Sequence, residues 1–168
     1  MAPLGGRALF LDWGGTLVLT REHRTVVDPA GDPVVLPGVA ETLARCRPAF
    51  DACCIVSNQA RIGLGEISEA EVRRRFTQLN DRLGRPFTDW RLCPHTDADG
   101  CACRKPRPGM FLDLARVHGF DLARSTHVGD SWKDEAATVA AGVGRFVWAA
   151  EFFRGADRPA AGAAPAPD

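Results

Sequence analysis

The sequence has no surplus of either charge and no apolar run long enough to span a bilayer. Its 168 residues include 21 lysine and arginine residues against 21 aspartate and glutamate residues. With a formal net charge of zero, no global field draws the protein to nucleic acid or to an anionic membrane. A transmembrane helix needs about 20 mostly apolar residues. These absences predict a protein with neither a nucleic-acid nor a membrane partner.

The N-terminus also lacks the apolar core of a signal peptide. Residues 1–7 lead directly into the first predicted strand, so we expect a cytoplasmic protein. The length and the 45% hydrophobic content suit one domain with a substantial core. Residues 155–168 are mostly alanine, proline and glycine and are too poor in large apolar side chains to pack. We therefore predict one domain over residues 1–154 and a disordered tail over 155–168.

Predicted strands alternate with predicted helices along the chain. The strands cover residues 7–12, 52–56, 87–92, 126–128 and 144–149, and the helices begin near residues 37, 68, 108 and 132. This alternation predicts an α/β fold in which a parallel sheet has helices on both faces. The connection over residues 16–37 is long for a compact domain and contains a turn signal, so we expect it to form a small hairpin beside the functional site.

Polar residues follow the predicted strands where those strands end. Asp12 ends the first strand and precedes two glycines, Ser57 and Asn58 end the second, and Asp130 follows the fourth. The carboxyl ends of parallel strands meet at one edge of the sheet. Together with Lys105, these groups suit a Mg²⁺ ion and a phosphoryl group. Taken singly, Asp12 is also compatible with a loop aspartate that caps the next element, and Lys105 with a solvated charge.

A second cluster has the spacing of metal ligands. Cys93, His95, Cys101 and Cys103 supply three thiolates and one imidazole, which complete a tetrahedral zinc site with no open position. Such a site is structural, so we predict a zinc ion that fixes the loop preceding Lys105. A disulfide and free thiols are the alternatives. The histidine and the missing export signal favour zinc.

Together these motifs resemble the haloacid dehalogenase (HAD) superfamily. The matching segments are residues 12–16, 57–59, Lys105 and 129–134. The cysteine-rich loop over residues 93–110 resembles the zinc-loop branch of subfamily IIIA, which contains heptose bisphosphate phosphatases and histidinol-phosphate phosphatases. The resemblance covers about residues 7–150. It implies a Rossmann-like three-layer sandwich with a zinc-binding loop and no separate cap domain.

The resemblance implies a phosphatase mechanism and assigns its main residues. Asp12 would be the nucleophile that forms an aspartyl-phosphate, and Lys105 would neutralise the charge of the phosphoryl group. Ser57 would donate a hydrogen bond to that group. Asp12 and Asp130 would hold Mg²⁺ together with the backbone carbonyl of Gly14.

The resemblance also implies the remaining roles. Asp134 would belong to the same magnesium site, where it orients Lys105 or the water shell of the metal. Asn58 and Arg104 would contact the substrate. The segment after Gln59 departs from the branch, which commonly has Ser-Gly there and an arginine further on. Arg61, on a glycine-containing loop over residues 60–65, is the candidate for that contact from a shifted position, and a surface arginine is the alternative. The implied substrate is a small sugar phosphate of the heptose bisphosphate kind, and we expect the enzyme to be a monomer.

Position 14 departs from the pattern of the superfamily. Most of its phosphatases carry an aspartate two residues after the nucleophile, and that side chain transfers protons to and from the reacting oxygens. Gly14 has no such side chain, and general acid–base catalysis is typically worth about 10²–10⁴-fold. Another residue could supply the proton, and Glu22, His23 and Asp28 in the long connection are candidates by composition.

Three interpretations of this departure follow. The protein is a phosphatase whose leaving group needs little protonation or whose acid comes from elsewhere in the chain. Alternatively, it is a catalytically weak or inactive relative that binds a phosphorylated ligand or a protein partner. Thirdly, it catalyses another reaction of the superfamily, such as dehalogenation. We favour the first, because some superfamily members with glycine at this position are regarded as active. The third is the weakest, because the zinc loop points to the phosphatase branch.

Overall fold

The structure is a computed structural model that describes residues 4–153. The predicted tail over residues 155–168 lies outside the described residues, and the division of the chain into a domain and a tail stays a prediction. Between residues 4 and 153, no helix is both long enough and apolar enough to cross a membrane.

A five-stranded parallel sheet forms the centre of the fold, as the sequence predicts. Seven strands are present in the described residues, numbered in chain order: β1 (Ala8–Leu11), β2 (Thr20–Arg21), β3 (Arg24–Thr25), β4 (Ala52–Asn58), β5 (Asp89–Cys93), β6 (Thr126–Gly129) and β7 (Arg145–Trp148). The large sheet has the order β5-β4-β1-β6-β7, and all four of its pairings are parallel. Because β1 is the middle strand, the residue that follows it lies at the centre of the carboxyl edge of the sheet.

Six α-helices accompany the sheet within residues 4–153. They are α1 (Val39–Cys46), α2 (Ala60–Gly63), α3 (Glu69–Arg82), α4 (Gly109–His118), α5 (Trp132–Ala141) and α6 (Ala149–Phe152). The four longer helices confirm the sequence prediction. The short helix α2 corrects it, because a flexible loop was expected over residues 60–65. The backbone N–H of Gly63 donates to the carbonyl oxygen of Pro94 at 2.9 Å, which fixes this turn against the cysteine-rich loop.

The central strand buries its alternate side chains in two separate cores. Leu9 and Leu11 pack in one core with residues of α1 and α3. Ala8 and Phe10 pack in the other with residues of α4 and α5, where the ring of Phe10 meets that of Phe111 edge to face at 5.1 Å. Successive side chains of a strand point to opposite faces of its sheet. The two cores therefore confirm the predicted layers of helices on both faces.

The long connection after β1 forms the small hairpin that the sequence predicts. Strands β2 and β3 pair antiparallel through Thr20 with Thr25 and Arg21 with Arg24. The indole Nε1–H of Trp13 donates to the hydroxyl of Thr25 at 3.0 Å, and the Trp13 ring is buried. This contact joins the hairpin to the loop that follows the central strand.

Candidate active site

A buried lysine joins three elements at the carboxyl edge of the sheet. The ammonium Nζ of Lys105 donates to Oδ1 of Asp12 at 2.8 Å, to Oδ1 of Asp134 at 2.6 Å and to the carbonyl oxygen of Val56 at 2.8 Å. Its side chain is only 3% exposed. Three acceptors satisfy all three protons of an ammonium group. The structure therefore brings together the predicted Asp12, Lys105 and Asp134.

Asn58, at the end of β4, positions the backbone of this lysine. Its side-chain amide donates to the carbonyl oxygen of Lys105 at 3.0 Å and accepts from the N–H of Lys105 at 2.9 Å. The sequence analysis assigned Asn58 to the substrate. In the structure its amide makes a two-point contact with the main chain, which aims the side chain of Lys105 at Asp12.

Both carboxylate oxygens of Asp134 accept hydrogen bonds. Oδ1 accepts from Lys105, and Oδ2 accepts from the backbone N–H groups of Asp130 and Ser131 at 3.2 and 3.1 Å and from the Ser131 hydroxyl at 2.8 Å. These donors occupy the carboxylate and match the orienting role that the sequence analysis gave to Asp134. They favour Asp12 and Asp130 over Asp134 as direct ligands of a metal.

The three carboxylates repel one another. Burial, followed by repulsion from Asp134, raises the pKa of Asp12. Burial, followed by repulsion from Asp12 and Asp134, raises the pKa of Asp130 to about 8. Burial also opposes the charge of Asp134, but the attraction of Lys105 outweighs it and lowers the pKa of that group. Three carboxylates thus face one ammonium in this cluster, and a divalent cation would balance them.

The geometry of the cluster fits such a cation. One oxygen atom each of Asp12, Asp130 and Asp134 lies within 4.8 Å of the others, and carboxylate oxygens are the ligands that Mg²⁺ prefers. Gly15 makes this approach possible. A Cβ atom at Gly15 would lie 1.9 Å from Oδ2 of Asp130, and the φ of +74° at this residue also favours glycine.

A cavity of about 730 Å³ opens from this cluster. The predicted site residues that line it are Asp12, Gly14, Ser57, Asn58, Arg61, Lys105, Asp130 and Asp134. Ser57 is buried, and its Oγ accepts a hydrogen bond from the side chain of Gln59 at 2.9 Å. The cavity therefore gives a ligand access to the nucleophile candidate and to the ammonium beside it.

The two predicted substrate arginines occupy different places. Arg61 lines the cavity, where its guanidinium contacts Glu66 at 2.8 Å. The guanidinium of Arg104 instead donates to Asp97 at 2.8 Å and to the carbonyl oxygen of His95 at 3.2 Å, so it braces the cysteine-rich loop. The assignment of Arg104 to the substrate stays a prediction.

Sequence analysis missed several residues of the cavity wall. Arg75 on α3, Lys133 at the start of α5 and Trp148 at the end of β7 all line it. Lys133 lies next to Asp134 within residues 129–134, which match the superfamily, so its position in the sequence could have indicated it. Arg75 and Trp148 carry no local signal, since only the packing of α3 and β7 brings them to this edge.

The four predicted ligands of the second cluster also converge. The Sγ atoms of Cys93, Cys101 and Cys103 lie 3.1–3.6 Å apart, and Nδ1 of His95 lies 3.4 Å from two of them. Sulfur ligands at about 2.3 Å from a tetrahedral zinc ion stand roughly 3.8 Å apart. None of the six cysteines, all within residues 4–153, forms a disulfide. The donor set and its spacing fit a tetrahedral metal.

The cysteine-rich loop leads from this cluster to Lys105. Gly109 at the start of α4 donates its N–H to the carbonyl oxygen of Ala102 at 3.0 Å. A Cβ atom at Gly109 would lie 2.4 Å from that oxygen. The loop is therefore packed closely against α4 before the chain reaches Lys105, which supports the predicted link between the cluster and the position of the lysine.

His127 on β6 is a buried residue of the site that sequence analysis also missed. Its Nδ1 lies 2.7 Å from the Thr138 hydroxyl, which donates to the carbonyl oxygen of Asp134 at 2.8 Å. Its Nε2 lies 3.7 Å from Oδ1 of Asp134. Burial lowers the pKa of His127 to about 3, against the attraction of Asp134. The imidazole is therefore neutral beneath the catalytic cluster.

The fold and site define a class of enzyme: aspartate-dependent hydrolases with a Rossmann-like core, in which an aspartate after the central strand faces a buried lysine. The family model of the polynucleotide kinase 3 phosphatases matches residues 8–142. The chain belongs to the haloacid dehalogenase superfamily, and within it to the subfamily IIIA phosphatases that resemble heptose bisphosphate phosphatases.

Named relatives and a solved structure agree with this placement. A D-glycero-beta-D-manno-heptose-1,7-bisphosphate 7-phosphatase of Bordetella bronchiseptica is 32% identical over 143 residues, covering 81% of this chain and 76% of the relative. The enzyme of the same name from Vibrio cholerae is 35% identical, covering 82% and 77%. A crystal structure of the B. bronchiseptica heptose bisphosphate phosphatase with magnesium and phosphate has a TM-score of 0.75 at 27% identity, covering 95% of this chain and 92% of that one.

We expect the substitution Gly15→Ala to damage the carboxylate cluster, whereas Gly31→Ala should not. Both glycines have left-handed backbones, with φ of +74° and +88°, but a Cβ at Gly31 meets no atom within 4 Å. The backbone term of about 1–2 kcal/mol is therefore common to both variants. Only Gly15→Ala displaces Asp130. Urea unfolding and Mg²⁺ titration calorimetry should show the greater loss of stability and of metal affinity in Gly15→Ala, and equal losses would contradict this account.

We expect His127 to weaken the fold in acid. Unfolding restores its ordinary pKa near 6.5, so the unfolded chain binds a proton that the native protein, with a pKa of about 3, does not. The neutral imidazole therefore contributes its full amount to the free energy of unfolding above pH 6.5. This contribution falls by about 1.4 kcal/mol per pH unit as the pH decreases toward 3. The charged groups facing it, Asp134 and Lys105, are unchanged in the variant His127→Asn.

Urea unfolding of both proteins between pH 7 and pH 4.5 measures this difference. His127→Asn loses packing at pH 7, and the gap in stability between it and the wild-type protein should narrow as the pH falls. Comparing the two proteins at each pH cancels the titration of groups that they share. Parallel stability curves would contradict the prediction.

Proposed function

We propose that the protein is a Mg²⁺-dependent phosphomonoester hydrolase that acts on a small sugar phosphate of the heptose bisphosphate kind. The proposal rests above all on one observation: the buried ammonium of Lys105 contacts both Asp12 and Asp134 at the floor of an open cavity. In-line phosphoryl transfer depends mainly on positioning and on neutralising charge, and this arrangement supplies both.

Asp12 is proposed as the nucleophile. Its carboxylate lines the cavity, and Lys105 fixes one of its oxygens. The other carboxylate oxygen would attack phosphorus and form an aspartyl-phosphate, which water then hydrolyses. The ammonium of Lys105 would stabilise the negative charge on the phosphoryl oxygens, and the hydroxyl of Ser57, at the end of the neighbouring strand, would donate a hydrogen bond to the same group.

Asp12, Asp130 and the carbonyl of Gly14 are proposed to hold the Mg²⁺ ion. When bound, the ion would neutralise the carboxylate cluster and the charge of the transferring phosphoryl group. Support comes from the raised pKa of Asp130, from the close approach that Gly15 permits, and from the magnesium and phosphate in the B. bronchiseptica structure. Asp134 is proposed to orient Lys105.

The cationic wall of the cavity supports a substrate with more than one negative group. Arg61, Arg75 and Lys133 line it besides Lys105. The named relatives act on a heptose bisphosphate, and we propose a ligand of this class here. Lys105 would bind the phosphate that is removed, and the remaining cations would attract the rest of the molecule. The predicted cytoplasmic location, monomeric state and lack of nucleic-acid or membrane partners stay predictions.

The cysteine-rich loop is proposed to hold a structural zinc ion. Cys93, His95, Cys101 and Cys103 supply four ligands and leave no open position, so the metal would take no part in the chemistry. Its effect would be to fix the loop that ends at Lys105. Because Asn58 holds the backbone of Lys105 from the other side, the lysine would be constrained from both directions.

Asp12→Asn should abolish phosphate release while the protein stays folded, since the amide is a poor nucleophile. The assay is Mg²⁺-dependent release of inorganic phosphate from heptose and hexose bisphosphates, from amino-alcohol phosphates and from a 3′-phosphorylated oligonucleotide. The control Asp81→Asn removes only an exposed ion pair with Arg85, which is worth little. Release in the wild-type protein that Asp12→Asn does not diminish would contradict the proposal. If the protein binds a phosphate ester but does not hydrolyse it, the result would instead favour the second interpretation of Gly14, that of an inactive relative.

Asp130→Asn should separate the metal site from the fold. Removing one of three repelling carboxylates should stabilise the metal-free protein. The same change should remove most of the increase in melting temperature that Mg²⁺ gives to the wild-type protein. That increase corresponds to about 2.7 kcal/mol of stability when the concentration of free Mg²⁺ is 100 times its dissociation constant. Calorimetry in chelator and in excess Mg²⁺ measures both effects. An unchanged response to Mg²⁺ would exclude Asp130 as a ligand.

Metal analysis should find about one zinc ion per chain. The substitution Cys101→Ser should lower this content and the melting temperature, because it removes one of four ligands. Cys46→Ser is the matched control, since Cys46 lies half-buried at the end of α1, outside the cluster. A zinc-free protein whose stability does not respond to chelator would contradict the zinc proposal and leave the phosphatase proposal intact.

A further inference from the structure

The proposed reaction needs a proton donor that Gly14 cannot supply. When the bond between phosphorus and the leaving oxygen breaks, that oxygen must gain a proton unless it is a stable anion. The aspartyl-phosphate then needs a base to activate the water that hydrolyses it. If the protein is the phosphatase proposed above, another residue must perform both transfers.

Most ionisable side chains on the described cavity wall are already engaged. Asp12, Asp130, Asp134 and Lys105 form the central cluster, and the remaining cations are paired: Arg61 with Glu66, Arg75 with Glu71 and Lys133 with Asp97. Two ionisable residues remain, Glu22 and His23. Within residues 4–153, neither side chain has a hydrogen-bond or ion-pair partner. Both stand at the tip of the hairpin formed by β2 and β3.

The hairpin occupies the space that a side chain at position 14 would enter. A Cβ atom on Gly14 would lie 2.7 Å from Cγ2 of Thr20, the first residue of β2. The hairpin therefore lies directly beside position 14, where the usual acid of the superfamily would stand. An acid–base group on the hairpin would approach the reacting oxygens from the side that the usual aspartate occupies.

The tip of the hairpin is built to a defined shape. Glu22 and His23 have φ of +48° and +61°, as the two central residues of a tight I′ turn require. Residues other than glycine, asparagine and aspartate adopt this conformation at an energetic cost, and such strain clusters at functional sites. The contact of Trp13 with Thr25, and backbone bonds that join Leu19 to residues 26 and 34 at 2.9 Å, hold the hairpin in place.

The chemistry of the two side chains distinguishes them. Histidine is the side chain that most often acts as a general acid and base in enzymes, because one nitrogen of its imidazole can donate a proton while the other accepts one. This chemistry favours His23 over Glu22 as the group that performs both transfers. The third candidate, Asp28, does not line the cavity: its carboxylate accepts from the N–H groups of Ala30 and Asp32 at 2.9 and 3.0 Å and stabilises its own turn.

We propose that His23 is the general acid and base of the reaction. As a carboxylate oxygen of Asp12 bonds to phosphorus, the bond to the leaving oxygen breaks and the imidazolium of His23 gives that oxygen its proton. The neutral imidazole then removes a proton from water as the water oxygen attacks phosphorus. The bond between phosphorus and Asp12 breaks, and the products are an alcohol, inorganic phosphate, a free Asp12 carboxylate and a protonated His23.

The variant His23→Asn tests this role, because asparagine accepts the left-handed backbone but transfers no proton. The probes are aryl phosphates of graded leaving-group acidity, from phenyl phosphate to para-nitrophenyl phosphate, together with a heptose bisphosphate. We expect a loss of about 10²–10⁴-fold in kcat/KM for the heptose bisphosphate, a smaller loss for phenyl phosphate and a near wild-type kcat/KM for para-nitrophenyl phosphate. The dependence of kcat/KM on leaving-group acidity should therefore become steeper. Where hydrolysis of the aspartyl-phosphate limits turnover, kcat should fall for every substrate, because all of them form the same intermediate. Arg21→Gln, on the same hairpin but outside the cavity wall, is the control.

Rescue provides a second test that a structural role of His23 would fail. In the His23→Asn background, Gly14→Asp combined with Thr20→Ser places the usual aspartate beside the nucleophile and removes the Cγ2 atom that would obstruct it. We expect this triple variant to regain about tenfold or more of the lost activity toward poor leaving groups.

Other results would overturn the proposal. A uniform loss of kcat/KM across the aryl phosphates, or no loss at all, would show that His23 gives no proton to the leaving oxygen. A steeper dependence of kcat/KM on leaving-group acidity in Glu22→Gln than in His23→Asn would move the role to Glu22. These outcomes leave Asp12-dependent turnover in place. If no turnover depends on Asp12, the phosphatase proposal fails, and the role of His23 fails with it.

Discussion

The contact of one buried ammonium with two carboxylates organises this protein. Lys105 is fixed by Asp12 after the central strand and by Asp134 on α5, while Asn58 holds its backbone at the end of β4. A charge without partners would be very unfavourable at this depth. Removing the ammonium would leave two buried carboxylates uncompensated, at a cost of about 3–5 kcal/mol. The ends of β1 and β4, the start of α5 and the cysteine-rich loop therefore have to meet at one place for the fold to be stable.

Even with this contact, the site carries an excess of negative charge. One lysine cannot balance Asp12, Asp130 and Asp134, and the raised pKa of Asp130 expresses the excess of negative charge. The fold maintains the excess with glycines: Gly15 lets Asp130 approach, and Gly129 leaves room for Asp134, whose Cβ would lie 2.4 Å from a Cβ at that position. Stability that the metal-free protein lacks is thus available from a bound cation, which couples metal binding to folding.

Gly14 has a structural meaning as well as a chemical one. In the superfamily pattern its position carries the acid, but here the methyl group of Thr20 stands where that side chain would begin. The packing of Thr20 against Gly14 therefore suits the glycine at this position. The hairpin brings Glu22 and His23 to the cavity wall, so the absence of one acid does not leave the cavity without ionisable groups.

Sequence by itself determined the alternation of strands and helices, the residues at the strand ends and the Cys₃His cluster, because periodicity, capping and ligand spacing are local properties. It could also propose Glu22, His23 and Asp28 as acids, but it could not choose among them. The tertiary structure narrowed the choice. It uses the carboxylate of Asp28 to stabilise a local turn and places Glu22 and His23 on the cavity wall. It also recruited Arg75 and Trp148 and buried His127 beneath Asp134. These positions depend on how distant segments pack, and the spacing of residues along the chain carries no record of that packing.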